Sequence, residues 1–199
     1  AGMLERLDHW LDKFVGLAAL SPSAAAYVRA EQIASIVKLT PMMMAGNVVG
    51  ALILLSVFRT GPEITAILIW ASLVILLALF AMRNWWQFKT QERRKKASRR
   101  GIAKASINGL VLGSIWGATP FLTLPSSSST QHLIVYVMMA GMICGGGFAL
   151  SAIPQAVLSF LVPVLIGSTF GLIYSAEYMQ LFVAILFVTF AGIIITASL

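Results

Sequence analysis

The residue types that usually catalyse reactions or bind metals are scarce in this sequence. The chain has 199 residues, with two histidines and one cysteine. A soft-metal site could be imagined from His132, Met138, Met139 and Cys144, but two histidines and one cysteine are too few candidate ligands for a metal or haem site. His9 belongs to the N-terminal segment, far from these residues in the sequence. We therefore predict no metal site, no haem site and no other cofactor in this chain.

Polar side chains inside apolar runs are the other candidates, because such groups can mark a transport path. Three amides fit this description, Asn47, Asn108 and Gln155, and Glu177 is the one acidic or basic residue after position 104. A proton or ion relay needs a chain of ionisable groups, which this half of the sequence lacks. The serines at 126–129 have no general base nearby. We predict no catalytic residue, and a small-solute transporter stays a third hypothesis.

The composition indicates a protein that is embedded in lipid. Hydrophobic residues make up 59% of the chain and charged residues 11%, and the mean hydropathy is +0.90. Soluble domains have about 45–50% apolar and about 25% charged residues. The charged residues of this chain are too few to cover a particle of its size with a polar surface. The composition thus excludes both a water-soluble enzyme and a disordered chain.

The apolar residues form runs long enough to cross a bilayer as helices. A helix needs about 20 apolar residues to cross the hydrocarbon core. None of the runs has the two-residue alternation of barrel strands. The sequence predicts an all-α, multi-pass membrane protein with a cytoplasmic amphipathic segment at 1–38 and a transmembrane domain at 39–199. The six predicted transmembrane helices are 39–58, 63–82, 105–124, 131–152, 153–174 and 178–199.

The basic residues indicate the orientation of these helices. Residues 59–104 contain ten basic and two acidic side chains, whereas residues 1–58 contain four of each. Loops rich in Lys and Arg face the cytoplasm, so we predict a cytoplasmic loop between the second and third helices and two cytoplasmic termini. Anionic lipid headgroups account for this charge without nucleic acid. The residues predicted to contact membrane lipids are Trp85, Trp86, Arg93, Arg94, Lys95, Lys96, Arg99 and Arg100.

The N-terminal segment is predicted to contain two amphipathic helices. Apolar residues before position 20 recur at spacings of three and four, which places them on one helical stripe. Ser21 is a predicted N-cap with Pro22 at the first position of the second helix, which continues to Lys38. Two interpretations stay open, because such a segment can lie on the cytoplasmic leaflet or pair with a second copy.

Glycines at four-residue spacing are the most distinctive pattern in the apolar runs. This spacing brings glycines to one face of a helix, where another backbone can approach closely. The glycine faces could pack within one subunit, or one of them, on the third or fourth helix, could contact a second copy. The candidate packing and oligomer residues are Gly46, Gly50, Gly109, Gly113, Gly117, Gly141, Gly145, Gly167 and Gly171.

Three stretches of the sequence resemble a known family. They read VRAEQIASIVKLTPMMMAGNVVGALIL, GSIWGATPFLTLP and AGMICGGGFALSAIPQAVLSFLVP, and the resemblance covers roughly residues 28–199. They are similar to the six-helix membrane sensor region at the N-terminus of bacterial diguanylate cyclases and phosphodiesterases, whose output domains carry GGDEF or EAL motifs. Neither motif occurs in this chain, so we expect no enzymatic activity within these residues.

The resemblance implies a homodimer in the bacterial inner membrane that regulates a cytoplasmic enzyme making or degrading cyclic di-GMP. The last apolar run has no basic residue after it, and we expect the natural chain to continue beyond Leu199. The leading hypothesis is a non-catalytic membrane sensory and dimerisation module. The second hypothesis is a small accessory or structural subunit of a membrane protein complex, whose glycine faces would contact neighbouring membrane subunits.

Overall fold

The computed structural model describes residues 21–89, 99–123, 128–175 and 179–198. Within these ranges every regular element is an α-helix, which confirms the predicted all-α class. The helices are α1 (Pro22–Val57), α2 (Ile64–Lys89), α3 (Arg99–Gly117), α4 (Thr119–Thr123), α5 (Ser129–Leu150), α6 (Pro154–Ser175) and α7 (Met179–Ser198).

Helix α1 is continuous where the sequence predicts two segments that meet at position 38. It has 36 residues and contains Pro41 in its interior. Its N-terminus follows the prediction, since the Ser21 side chain accepts a hydrogen bond from the Ala24 backbone N–H and Pro22 is the first helical residue. Pro22 has no N–H to lose at this position. The amphipathic stripe predicted before residue 20 lies outside the described residues.

The predicted third helix, 105–124, is divided in the structure into α3 and the single turn α4. Ala118 separates the two pieces. Pro120 has no N–H and cannot donate to the carbonyl of Trp116, so the regular helical hydrogen bonds end at this point. The chain then forms a new turn, in which the Leu122 N–H donates to the Ala118 carbonyl. The single predicted helix 105–124 is therefore two shorter helices, α3 and α4, in the structure.

Helix α5 begins with a capping box formed by Ser128 and Gln131. The Ser128 side chain accepts from the Gln131 backbone N–H, and the Gln131 side chain accepts from the Ser128 N–H at 2.8 Å. The backbone N–H groups of Ser128 and Gln131 would have no hydrogen-bond partner at the helix N-terminus without these two bonds. The Gln131 Nε2 also donates to the Val57 carbonyl at 3.3 Å, which joins the start of α5 to the end of α1.

Four helices are long and apolar enough to cross a membrane, as expected for a membrane protein. They are Ser23–Val57, Ile64–Gln87, Ser129–Leu150 and Pro154–Ile173. In the described part of the chain, α3 and α7 are not both long enough and apolar enough to cross a membrane. The break at Ala118 shortens α3, and the apolar part of α7, Phe182–Ser198, is a shorter helix. Six spans therefore stay a prediction.

Helices α3 and α6 lie side by side and run in the same direction. Gly109 lies against Ala156, and eight positions later Gly117 lies against Pro163. A membrane protein with alternating spans has this relation between its third and fifth helices, because both cross from the same side. The contact thus agrees with the direction that a six-span topology requires for these two helices.

Helices α1 and α3 are also parallel, because Ile33 lies against Gly101 and Asn47 bonds to Trp116. The N-terminal ends of α1, α3 and α6 therefore share one end of the bundle. We name it the basic end, after the described side chains of Arg29, Lys38, Arg83, Arg100 and Lys104. The turn between α1 and α2, which carries Arg59, lies at the opposite end, named here the outer end.

The core lies where α1, α2, α3, α5 and α6 meet. Its largest side chains are Trp116, Phe58 and Phe160, each fully buried. Helix α7 is peripheral, and its buried described side chains are Phe187 and Ala191. Val183, Phe190, Ile194 and Ile195 are partly buried and pack against the core, while Phe182, Ile185, Leu186, Val188 and Ile193 are exposed.

Candidate functional site

Helices α3 and α6 cross in close contact, and this contact is named here the glycine crossing. A Cβ atom at Gly113 would overlap the backbone carbonyl of Phe160, and one at Gly117 would overlap that of Pro163. One turn earlier, a Cβ at Gly109 would lie 2.9 Å from a carbonyl oxygen of α6. Backbone therefore meets backbone along two turns of each helix, at a distance that no side chain permits.

Gly167 on α6 completes the crossing from the other side. A Cβ at this position would overlap the carbonyl of Gly117. Such close approach allows Cα–H groups of one helix to contact carbonyl oxygens of the other, a weak interaction that recurs between packed helices. Of the two uses that the sequence leaves open for the α3 glycines, the structure has packing within one subunit.

The candidate glycines of α1 and α5 have different surroundings. No atom of the described residues lies within 4 Å of a Cβ built at Gly46, Gly141 or Gly145. These three glycines are exposed. Val137 and Phe148, on the same side of α5, are 61% and 66% exposed. The Gly141–Gly145 pair therefore lies on an exposed surface of the described part of the chain, named here the α5 face.

The two remaining candidates are buried against neighbouring side chains. A Cβ at Gly50 would lie 2.8 Å from the Trp116 ring, so the absent side chain makes room for the indole. The Gly171 carbonyl accepts a hydrogen bond from the Tyr136 hydroxyl at 3.0 Å. Both glycines serve contacts within the subunit.

Two tryptophans and one asparagine form a buried polar cluster at the break in α3. The Trp116 indole N–H donates to the Asn47 Oδ1 at 2.6 Å, and the Asn47 Nδ2 donates to the Met43 carbonyl at 2.7 Å. The Trp70 indole N–H donates to the Ile115 carbonyl at 2.8 Å, and the two indole rings meet edge to face with centroids 5.1 Å apart. Carbonyls in the last turn of a helix lack helical partners. Trp70 supplies one from α2, so the cluster connects α1, α2 and α3.

The sequence contains a signal for this cluster that we did not use. Trp116 belongs to the second resembling stretch, and neither it nor Trp70 is among the predicted site residues. A tryptophan in an apolar run needs an acceptor for its indole N–H. Asn47 is the one amide of the first apolar run, and an asparagine in lipid needs a partner equally. A hydrogen bond from the Trp116 indole to the Asn47 side chain satisfies both requirements. This pairing would have suggested that the first and third apolar runs are neighbours.

The three amides that could have marked a transport path do not meet in the structure. Asn47 is used by Trp116 and the α1 backbone. Asn108 is exposed, and Gln155 is buried at the start of α6. Asn108 lies about 12 Å along α3 from Trp116. Within the described residues these side chains form no shared polar path.

The imagined soft-metal residues are also separated. The rings of His132 and Tyr136 meet edge to face with centroids 6.5 Å apart. Cys144 lies about 18 Å along α5 from His132. Among the described residues no group of three His, Cys, Asp or Glu side chains could hold a metal ion. His9 lies outside the described residues.

The predicted lipid-contact residues are described in part. The rings of Trp85 and Trp86 meet edge to face at 6.2 Å near the end of α2, and Trp86 is 67% exposed. Arg100 is exposed at the start of α3, which begins at Arg99. The other predicted contacts lie outside the described residues: Arg93, Arg94, Lys95 and Lys96.

Comparisons with protein-family models, with curated proteins and with solved structures find no match. The family suggested by the resembling stretches stays a prediction.

Proposed function

We propose that this chain is a multi-pass membrane module that regulates a cytoplasmic domain and does not itself catalyse a reaction. In this proposal six helices cross the bacterial inner membrane, with the basic end in the cytoplasm. The resemblance suggests that the regulated domain makes or degrades cyclic di-GMP.

The observation that supports this proposal is the unequal packing of the helices. The glycine crossing and the tryptophan cluster hold α1, α2, α3 and α6 together through backbone contacts and buried hydrogen bonds. Among the described residues α7 has two buried apolar side chains, Phe187 and Ala191, and its other contacts with the core are made by partly exposed side chains. A firmly packed core beside a loosely packed last helix suits a device in which that helix changes position. A stimulus would act by favouring one of two positions of α7.

A chimaera tests the regulation and the topology together. Residues 1–198 are joined to a diguanylate cyclase catalytic domain, whose GTP substrate is in the cytoplasm. Cyclic di-GMP is made from two GTP molecules. The reaction therefore requires two catalytic domains that face each other, each of which binds one GTP. We expect cells that carry the chimaera to accumulate cyclic di-GMP, because α7 would end in the cytoplasm and the module would pair two copies.

The control is a phosphatase that works only outside the inner membrane, fused at the same point. It is expected to be inactive there and active when inserted at Gly61 on the outer end. Phosphatase activity after residue 198 would contradict the six-span topology. A membrane-inserted chimaera without cyclic di-GMP would contradict the regulatory proposal.

Self-association in this proposal uses the α5 face. The α3 glycines are occupied by α6, whereas Gly141 and Gly145 are open. Two copies that meet through these glycines would bring their α5 backbones close together. Cys144, the single cysteine of the chain, is half-buried three residues after Gly141. It is a native probe for this contact.

Mild oxidation of membranes is expected to convert the protein into a disulfide-linked dimer through Cys144. A disulfide forms when the two Cα atoms are about 4.4–6.8 Å apart, which α5–α5 contact at glycines permits. Gly141→Leu is expected to lower the yield of dimer several-fold on denaturing gels without reductant. Gly192→Leu, at an open position on α7, is the matched control and should leave the yield unchanged.

Equal dimer yields from the wild type and Gly141→Leu would refute self-association through the α5 face. A monomeric protein whose Cys144 cross-links to a different membrane protein would favour the second hypothesis, an accessory subunit.

A further inference from the structure

A charged side chain on the first half of α1 faces the bundle instead of the solvent. Ala25, Arg29, Gln32 and Ile36 follow one another at spacings of four, three and four, so they share one stripe of the helix. Ala25 is buried, and Ile36 packs against the core. Arg29 and Gln32 lie between them and are half-buried. An arginine in such a position requires a partner.

Two polar atoms of this pair have no hydrogen-bond partner among the described residues. They are the Nε of Arg29 and the Oε1 of Gln32, and both atoms are buried. One is a donor and the other an acceptor. A buried polar atom without a partner destabilises a fold, and more so when it belongs to a charged group. A ligand that accepts from Arg29 and donates to Gln32 would satisfy both.

The surroundings select a negatively charged ligand. Ile33, one turn after Arg29, touches Gly101 of α3, which brings the exposed Arg100 and Lys104 to the same region. Glu31 is the acidic residue described at this end. An arginine fork binds phosphate oxygens through two parallel N–H groups.

The depth of the pair matches lipid headgroups. Arg29 lies about 42 Å along α1 from Val57, and a bilayer with its headgroups is about 40–45 Å thick. Trp85 and Trp86 lie at the same end, and such aromatic pairs are typical of the boundary between hydrocarbon and headgroups. Arg29 therefore reaches the inner headgroup layer when α1 crosses the membrane.

We propose that Arg29 and Gln32 bind the headgroup of an anionic phospholipid of the phosphatidylglycerol type. The phosphate accepts from the Arg29 Nε, and a glycerol hydroxyl donates to the Gln32 Oε1. The site rests on the proposed membrane placement of α1 and goes beyond the proposed regulation, since it gives the α1–α3 junction a lipid ligand. It differs from the general attraction of the basic loop, because the Arg29 Nε and the Gln32 Oε1 are buried atoms of half-buried side chains.

The test measures the melting temperature of the purified protein in nanodiscs of phosphatidylcholine, with and without phosphatidylglycerol. A ligand that binds the folded state raises the Tm. We expect phosphatidylglycerol to raise the Tm of the wild type by at least about 2–4 °C.

In Arg29→Gln at least half of this rise in Tm should be lost. Arg59→Gln, at the exposed outer end, removes the same charge and should respond like the wild type. Both leaflets carry the lipid, so the result does not depend on orientation.

Gln32→Leu is a second variant, in case Arg29→Gln does not fold, and should lose part of the rise. Equal responses of the wild type, Arg29→Gln, Gln32→Leu and Arg59→Gln would overturn the site. An equal rise with inorganic phosphate in phosphatidylcholine nanodiscs, at matched ionic strength, would overturn the lipid as its source. The six-span topology can be wrong without affecting this result. If Arg29→Gln lost the response to phosphatidylglycerol and Arg59→Gln kept it, the lipid site would still stand.

Discussion

Gly113→Leu is expected to prevent stable folding of the bundle, whereas Gly141→Leu is expected to leave the fold intact. A Cβ at Gly113 would overlap the Phe160 backbone, and a Cβ at Gly141 meets no atom of the described residues within 4 Å. Overpacking costs about 1–3 kcal/mol where flexible side chains can move aside. A backbone carbonyl of a packed helix cannot, so α3 and α6 would have to separate.

Thermal unfolding in detergent, followed by circular dichroism, measures this difference. We expect Gly113→Leu to lower the free energy of unfolding by more than about 3 kcal/mol, a large share of the about 5–15 kcal/mol that stabilises an average domain. Gly113→Ala should be intermediate, because the first carbon atom already overlaps. A Gly113→Leu protein that melts like the wild type would show that the glycine crossing is absent.

The difference between these two glycines was not predictable from the sequence. Both belong to a G-x-x-x-G pattern, which predicts close approach but not the partner. The partner of Gly113 is Phe160, more than forty positions later, and their contact depends on how the chain turns between α5 and α6. The position of the apolar helices was predictable, because about 20 apolar residues are a local property of the sequence.

The broken third helix shows a second limit of sequence reasoning. Pro120 predicts a kink or an end, since it lacks an N–H. Whether a helix bends or breaks depends on whether other groups satisfy the freed carbonyls. Here the Trp70 indole, from a different helix, donates to the Ile115 carbonyl, which is next to the Trp116 carbonyl that Pro120 leaves without its helical donor. The break is therefore a tertiary property, and a six-helix pattern read from hydropathy alone shows it as one span.

Replacement of Trp116 is expected to be the most damaging change to a single side chain of the polar cluster. Trp116 is fully buried and is the largest such side chain of the described residues. Truncation of a buried tryptophan to alanine costs about 3–5 kcal/mol, since a cavity stays behind. Trp116→Phe keeps most of the ring and removes the donor to Asn47, so its smaller loss reports the hydrogen bond. Unfolding free energies in one detergent give both values.

The bond between Trp116 and Asn47 can be separated from packing by a double-mutant cycle. Asn47→Leu alone leaves the Trp116 N–H without its acceptor, and Trp116→Phe alone leaves the Asn47 Oδ1 without its donor. The double variant leaves neither group unpaired, so its loss should be smaller than the sum of the two single losses. Interhelical hydrogen bonds in membranes average about 0.6 kcal/mol, and we expect a coupling of about 0.5–2 kcal/mol. Additive losses would mean that the indole contributes by its volume alone and that Asn47 is free to serve another ligand. Measured coupling would instead make the cluster a fixed connection between α1 and α3.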